Sequence, residues 1–325
     1  VSTQSTGNLK SMPFAETRHL MTITSLSREE FIKLVDLAID MKNHQEKYVE
    51  RCKHKTLLAL FAKPSLRTRV SLETAMTKLG GHTIYYELGE KAPLGVKESI
   101  EDTAEVISRM VDICSARLPT RAMMEELAKF SSIPCLNALD NWAHPLQMVC
   151  DFMTIKEKFG KFDGLKMCYS GDCMNNVTYD LMRACALLGM EMRVACPDHV
   201  DFKPVQEVLD ECAQLNAKYG GKTIVTHCVK EACTGVDIVY CDSWMSYHIS
   251  KEEKAQRLAV LMPYQINAVS MGYTSERSIF MNCLPAARGE EQTAEVIDGP
   301  KSVIYQEAGN RLWSAMAVLD FFINK

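Results

Sequence analysis

The feature that most constrains this chain is a regular alternation of short apolar runs with longer helical patterns. The runs "TLLALFA", "HTIYYEL", "VDICSARL" and "IPCLNAL" fall in the first half. A second series follows: "LKMCYSG", "MRVACP", "KTIVTH", "DIVYCDS" and "SIFMNCL". Between them lie helical stretches such as "SREEFIKLVDLAIDMKN", "RVSLETAMTKLG", "SIEDTAEVISRM", "TRAMMEELAKFS", "VTYDLMRACALLG" and "PVQEVLDECAQLNAKYG". Parallel strands need a long crossover, usually a helix, so this order predicts parallel α/β architecture. At 325 residues the chain is long for one core and suits two α/β domains.

The helix "PLQMVCDFMTIKEKFG", closed by Gly160 as a C-cap, marks the expected boundary between the two series and would be shared by both. Ser27 and Glu30 form a capping-box pattern ahead of the first helix. The chain is expected to end in a helix, "NRLWSAMAVLDFFINK".

Composition narrows the partners. Lys and Arg number 37 against 41 Asp and Glu, a net charge of −4. That balance gives no electrostatic reason to expect nucleic acid or an anionic membrane. No apolar run approaches the ~20 residues of a membrane span. The start "VSTQSTGNLKSMPF" lacks the apolar core of a secretory signal. Thirteen cysteines lie scattered in apolar runs without a CxxC, which fits buried reduced thiols in a cytoplasmic protein. His227, Cys228 and Cys233 cluster, but no second pair has zinc-finger spacing.

Two stretches carry chemistry. In "AKPSLRTRV", Ser65, Arg67, Thr68 and Arg69 sit where a strand gives way to a helix. Unsatisfied N–H groups and the helix dipole favour an anion there, and arginine forks match phosphate oxygens. A solvated basic loop with its arginines paired to carboxylates is the alternative. In "NWAHPLQMVCD", Pro145 suits the first helical position, leaving His144 at the helix mouth and Gln147 one turn on. The positive helix end favours a neutral imidazole able to donate to a carbonyl oxygen. A histidine bonded to backbone at the helix start is the alternative.

Taken with Arg109 and the later motifs "SGDCMNN", "DSWMS", "NCLP" and "EAGNR" in order, these stretches resemble the aspartate/ornithine carbamoyltransferases over nearly the whole chain. The resemblance implies two doubly wound parallel-sheet domains with an interdomain active-site cleft, a homotrimer, and no metal or organic cofactor. It implies a carbamoyl-phosphate domain of residues 1–149 plus 310–325 and an amino-acid domain of 150–309. By the same resemblance, Ser65, Arg67, Thr68 and the backbone at Leu66 hold the phosphate. Arg109 and Arg311 reach the phosphate and carbonyl oxygens. His144 and Thr68 donate to the carbonyl oxygen, and Gln147 and the Leu284 carbonyl accept from the carbamoyl NH₂. The Leu284–Pro285 bond is expected cis. Asn176, Asp242, Ser246 and Tyr247 bind ornithine, and Cys283 lies beside its side-chain amine. Arg109, His144, Asp242 and Cys283 form the expected catalytic set.

The expected reaction is carbamoyl transfer from carbamoyl phosphate to the side-chain amine of L-ornithine, giving L-citrulline and phosphate, reversibly. Other acceptors (an N-acylornithine or putrescine) and a non-catalytic ligand-binding relative are the alternatives. Departures from the family pattern bear on them. Tyr247 and His248 replace a Met-Gly pair, Asn282 replaces a histidine, Leu66 replaces a threonine, and Pro93 stands where a polar residue often reaches a neighbouring subunit.

Overall fold

The computed structural model describes residues 17–89, 93–245 and 251–324. Strands β1 (Thr56–Phe61), β2 (His82–Glu87), β3 (Ile113–Arg117) and β4 (Cys135–Leu139) form one parallel sheet in the order β2-β1-β3-β4. A second parallel sheet, in the order β7-β6-β5-β8-β9, contains β5 (Lys166–Ser170), β6 (Glu191–Ala195), β7 (Lys222–Thr226), β8 (Ile238–Cys241) and β9 (Ile279–Asn282). All nine expected strands are present.

Helices α1 (Arg28–Asn43), α2 (Leu66–Lys78), α3 (Ile100–Ile107), α4 (Arg121–Phe130) and α5 (Pro145–Phe159) accompany the first sheet. The second carries α6 (Asn176–Leu188), α7 (Gln206–Tyr219), α8 (Val229–Cys233), α9 (Lys251–Leu261), α10 (Ala268–Gly272) and α11 (Ala294–Ile297). Then α12 (Ile304–Ile323) returns to pack on α1, α2 and α5. Among the described residues no helix is long and apolar enough to cross a membrane.

Local signals explain the boundaries. Ser27 Oγ accepts from Glu30 N–H at 3.2 Å while Glu30 Oε2 accepts from Ser27 N–H at 3.0 Å, the reciprocal cap expected of that pair. Gly160 ends α5 at φ 73°, a left-handed turn that costs glycine least. Helix α2 begins three residues earlier than its apolar pattern, because Ser65 is extended and Leu66 already turns helical. Helix α12 likewise begins at Ile304, ahead of the expected "NRLW". The expected division at 149/150 and 309/310 therefore falls inside α5 and α12, helices that run past it.

One apolar core joins the two sheets. Phe31 of α1 meets Phe152 of α5 edge-on at 5.4 Å between ring centres, and Met167, Leu181 and Met316 belong to the same buried cluster. In each sheet the chain reverses its direction of winding, beside β1 in the first and beside β5 in the second. Ligand crevices open at such switch points, off the carboxyl ends of the strands.

Candidate active site

A cleft of about 610 Å³ lies there, bounded by the carboxyl ends of β1, β3, β4, β5, β8 and β9. Its first wall is the turn from β1 into α2. Because the helix starts at Leu66, the N–H groups of its first turn face the cleft without intrahelical partners. Ser65 Oγ donates to Thr68 Oγ1 at 3.1 Å, and Thr68 Oγ1 also accepts from Arg311 Nη2 at 3.1 Å. Arg67 reaches across the cleft, its Nη2 donating to the Leu284 carbonyl at 2.7 Å. Leu66 contributes backbone only; its side chain is 77% exposed. Arg69 turns the other way, pairing with Glu73 at 2.8 Å over the Tyr85 ring.

The second wall is the turn from β4 into α5. Asp140 Oδ1 accepts the N–H groups of Trp142 and Ala143, both at 2.7 Å, which folds the chain back before the helix. His144 N–H then donates to the buried Asp180 at 2.9 Å, setting the backbone from which the imidazole enters the cleft. Burial first, and then the charges of Arg311, Arg117 and Arg67, hold His144 far below the usual imidazole range, so the ring is neutral. Its Nδ1 is buried with no hydrogen-bond partner among the described residues. Gln147 Oε1 accepts from Arg311 Nη1 at 2.6 Å, and its Nε2 donates to Asp151 at 2.7 Å.

The third wall comes from the second sheet. Asn175 caps α6, and the next residue, Asn176, donates from Nδ2 to the Asp140 carbonyl at 2.5 Å, tying the two walls together. Cys283 Sγ donates to Asp242 Oδ1 at 3.2 Å. Burial, reinforced by Asp242, pushes the Cys283 thiol well up, so the sulfur keeps its proton. The Leu284–Pro285 bond is cis, as expected. Asn282 is engaged at both ends of its amide: its Oδ1 accepts Leu284 N–H at 2.7 Å and its Nδ2 donates to Gln292 at 3.2 Å. An uncharged amide thus fixes the turn that presents the Leu284 carbonyl.

The cleft gathers Ser65, Leu66, Arg67, Thr68, His144, Gln147, Asn176, Asp242, Cys283, Leu284 and Arg311. Arg109 is a correction. It lies just past α3, its side chain 65% exposed and paired with Glu105 at 2.5 Å, outside the cleft. Four residues separate the two, the spacing of a surface ion pair on one helical face. The arginine that lines the cleft is Arg117, the last residue of β3. Its place at a strand's carboxyl end was the signal to follow. Lys63, Met174, Ser243 and Met245, which stand inside the quoted motifs but were given no role there, also line the cleft. Ser246 and Tyr247, with His248, lie outside the described residues.

Comparison with known proteins agrees with this geometry. Residues 18–157 match the carbamoyl-P binding domain of the aspartate/ornithine carbamoyltransferases, and residues 163–322 match the Asp/Orn binding domain of the same group. The solved ornithine transcarbamoylase of Giardia lamblia is 61% identical, with a TM-score of 0.89 over 96% of this chain and 99% of that one. The ornithine carbamoyltransferase of Pyrococcus furiosus is 37% identical, with a TM-score of 0.90 over 94% and 97%. The ornithine carbamoyltransferase of Methanocaldococcus jannaschii is 41% identical over 94% of this chain and 99% of its own. With both domain matches in chain order and the phosphate-type cradle facing a thiol–carboxyl pair, the chain belongs to the aspartate/ornithine carbamoyltransferase family.

Proposed function

We propose that this chain transfers the carbamoyl group of carbamoyl phosphate to the side-chain amine of L-ornithine, giving L-citrulline and phosphate, and that it runs the reverse under product excess. The observation that carries this reading is the convergence of Arg67, Arg117 and Arg311 on the start of α2, opposite Cys283 and Asp242. Ser65, Thr68, the Leu66 backbone and the three arginines hold the phosphate dianion. Neutral His144 and Thr68 donate to the carbonyl oxygen as the amine attacks and negative charge grows there, while Gln147 Oε1 and the Leu284 carbonyl accept from the NH₂. The carbon–oxygen bond to phosphate breaks and the leaving phosphate takes the electron pair.

Ornithine's amine has an ordinary pKa near ~10, so the reactive neutral form is scarce at neutral pH. Asp242 meets the amino-acid end and Cys283 lies beside the side-chain amine, with Asn176, Ser246 and Tyr247 completing that subsite. Met174 and Met245 give the methylenes an apolar wall. We assign residues 1–149 with 310–325 to carbamoyl phosphate and 150–309 to the amino acid. The working assembly is a homotrimer in a reducing cytoplasm, supported by an apolar surface on α2 and β2 and by thirteen free cysteines.

The test is an acceptor panel of ornithine, N-acetylornithine, putrescine and lysine with carbamoyl phosphate, reading ureido product and phosphate together. Ornithine turning over at least about tenfold faster than the others, one order being ~1.4 kcal/mol of discrimination, is the expected result. Putrescine or N-acetylornithine in first place would replace the acceptor, and no ureido product from any amine would remove the activity.

A further inference from the structure

Behind the cleft a line of buried polar side chains crosses from α5 to β8 and α12. Asp151, Tyr240 and Glu307 are each no more than 1% exposed. Gln147 Nε2 donates to Asp151 Oδ1 at 2.7 Å. The Tyr240 hydroxyl lies 3.0 Å from Asp151 Oδ2 and 3.3 Å from Glu307 Oε1. Asn282 N–H donates to Glu307 Oε2 at 3.1 Å, and Arg311 Nη1 closes the line on Gln147 Oε1 at 2.6 Å.

Counting hydrogens leaves this line one short. A phenol has a single hydrogen and can donate to only one of two carboxylates. The other, if ionised, would face the phenol's lone pairs and the first carboxylate, itself within hydrogen-bonding reach, with no proton between them. One added proton on Glu307 satisfies every atom. Glu307 then donates to the Tyr240 oxygen, Tyr240 donates to the nearer Asp151, and ionised Asp151 accepts at both of its oxygens. An ionised carboxylate accepts only, so Asp151 holds the NH₂ of Gln147 inward and leaves its oxygen toward Arg311 and the cleft.

We propose that Asp151 and Glu307 share one proton between themselves and the Tyr240 hydroxyl, and that this cluster fixes the amide orientation of Gln147. Asp151 and Glu307 are positioning residues. That Gln147 meets a carbamoyl NH₂ rests on the function proposed above; the proton does not. The groups facing the pair are Arg311 from α12, Cys150 from α5, and Asp242 and Cys283 from the ends of β8 and β9. Burial is the largest influence on both carboxyls, pushing Asp151 up to about 7 and Glu307 well above its ordinary range.

Infrared spectra of the whole protein in mildly alkaline buffer, without substrate, test the proton directly. The carbonyl band of a protonated buried carboxyl is expected in the wild type and absent in Glu307→Gln, whose amide still donates to Tyr240 and accepts from Asn282. In kinetics, Glu307→Gln stays within about threefold of wild-type kcat and loses the alkaline fall in kcat/KM for carbamoyl phosphate that ionisation of Glu307 produces. Asp151→Ala raises KM for carbamoyl phosphate by about tenfold or more, since Gln147 is released. No band in the wild type, or a band that survives in both Glu307→Gln and Asp151→Asn, overturns the shared proton. Wild-type KM in Asp151→Ala overturns the positioning of Gln147. An intact band in a protein without turnover counts against carbamoyl transfer and supports the proton.

Discussion

At the scale of single residues, the two arginines of the segment "SRMVDICSAR" separate function from decoration. Arg109 is solvated and its pair with Glu105 is of the kind worth well under 1 kcal/mol. Arg117 ends β3 and lines the cleft with the start of α2, the phosphate site proposed above, where a positive fork would act shielded from water. Arg117→Ala should lower kcat/KM for carbamoyl phosphate by about 10²–10³, while Arg109→Ala should change it by less than about twofold. Steady-state kinetics on both proteins check this; a larger loss at Arg109 would reverse the assignment. The expected residues that the structure does bring to the cleft, such as Thr68, His144 and Gln147, sit at helix starts, where spacing alone says which way a side chain faces. Arg117 was hidden because a strand end has no such local mark. Asn282 shows a different limit: the family's histidine could carry a charge at this position, yet the side chain here makes two hydrogen bonds that need none.

At the scale of elements, all nine strands were legible because buried parallel strands are written as short apolar runs. The eleven-residue α9 was not among the expected helices, nor were α8, α10 and α11, of four or five residues each. The last three are too short for a helical period to declare itself; α10 is fixed by Asn267 accepting from Val269 and Ser270 N–H. The turn after β5 carries a prediction of its own. Gly171 has φ 128°, and a Cβ added there would lie 2.2 Å from Trp244 Nε1. Trp244 is buried and anchors the segment that follows Asp242. Gly171→Ala therefore forces that segment outward as well as straining the backbone, at a cost of a few kcal/mol. The expected outcome is a lower Tm and a KM for ornithine raised about tenfold or more, with carbamoyl-phosphate affinity held within about threefold. Calorimetric titration of carbamoyl phosphate beside ornithine kinetics separates the two effects; equal losses for both substrates would show that the whole cleft, and not the Asp242 side, had moved.

At the scale of the molecule, the cleft depends on contacts between distant parts of the chain, which no window of sequence displays. Arg67 bonds Leu284 across 217 positions, and Asn176 bonds the Asp140 carbonyl across 36. Family resemblance put Arg67, Leu284 and Asn176 in one expected site, but neither of these bonds was expected from it. Assembly belongs to the same scale. Strand β2 is the outer strand of its sheet, yet Ile84 and Tyr86, on one face of it, are 44% and 54% exposed. Helix α2 packs against β2 and exposes Leu66 at 77% and Val70 at 52%, one helical turn apart. An uncovered edge strand beside an apolar helix face favours a partner chain, and a second copy is the partner that the proposed trimer supplies. Placing a charge in such a surface costs more when the surface is buried by a neighbour than when it is wet. Ile84→Asp combined with Tyr86→Asp should therefore leave the single chain folded, with an unchanged far-ultraviolet spectrum, and shift its sedimenting mass from three chains toward one. A wild-type protein that sediments as one chain, or a charged variant that stays at three, would take this surface out of the assembly.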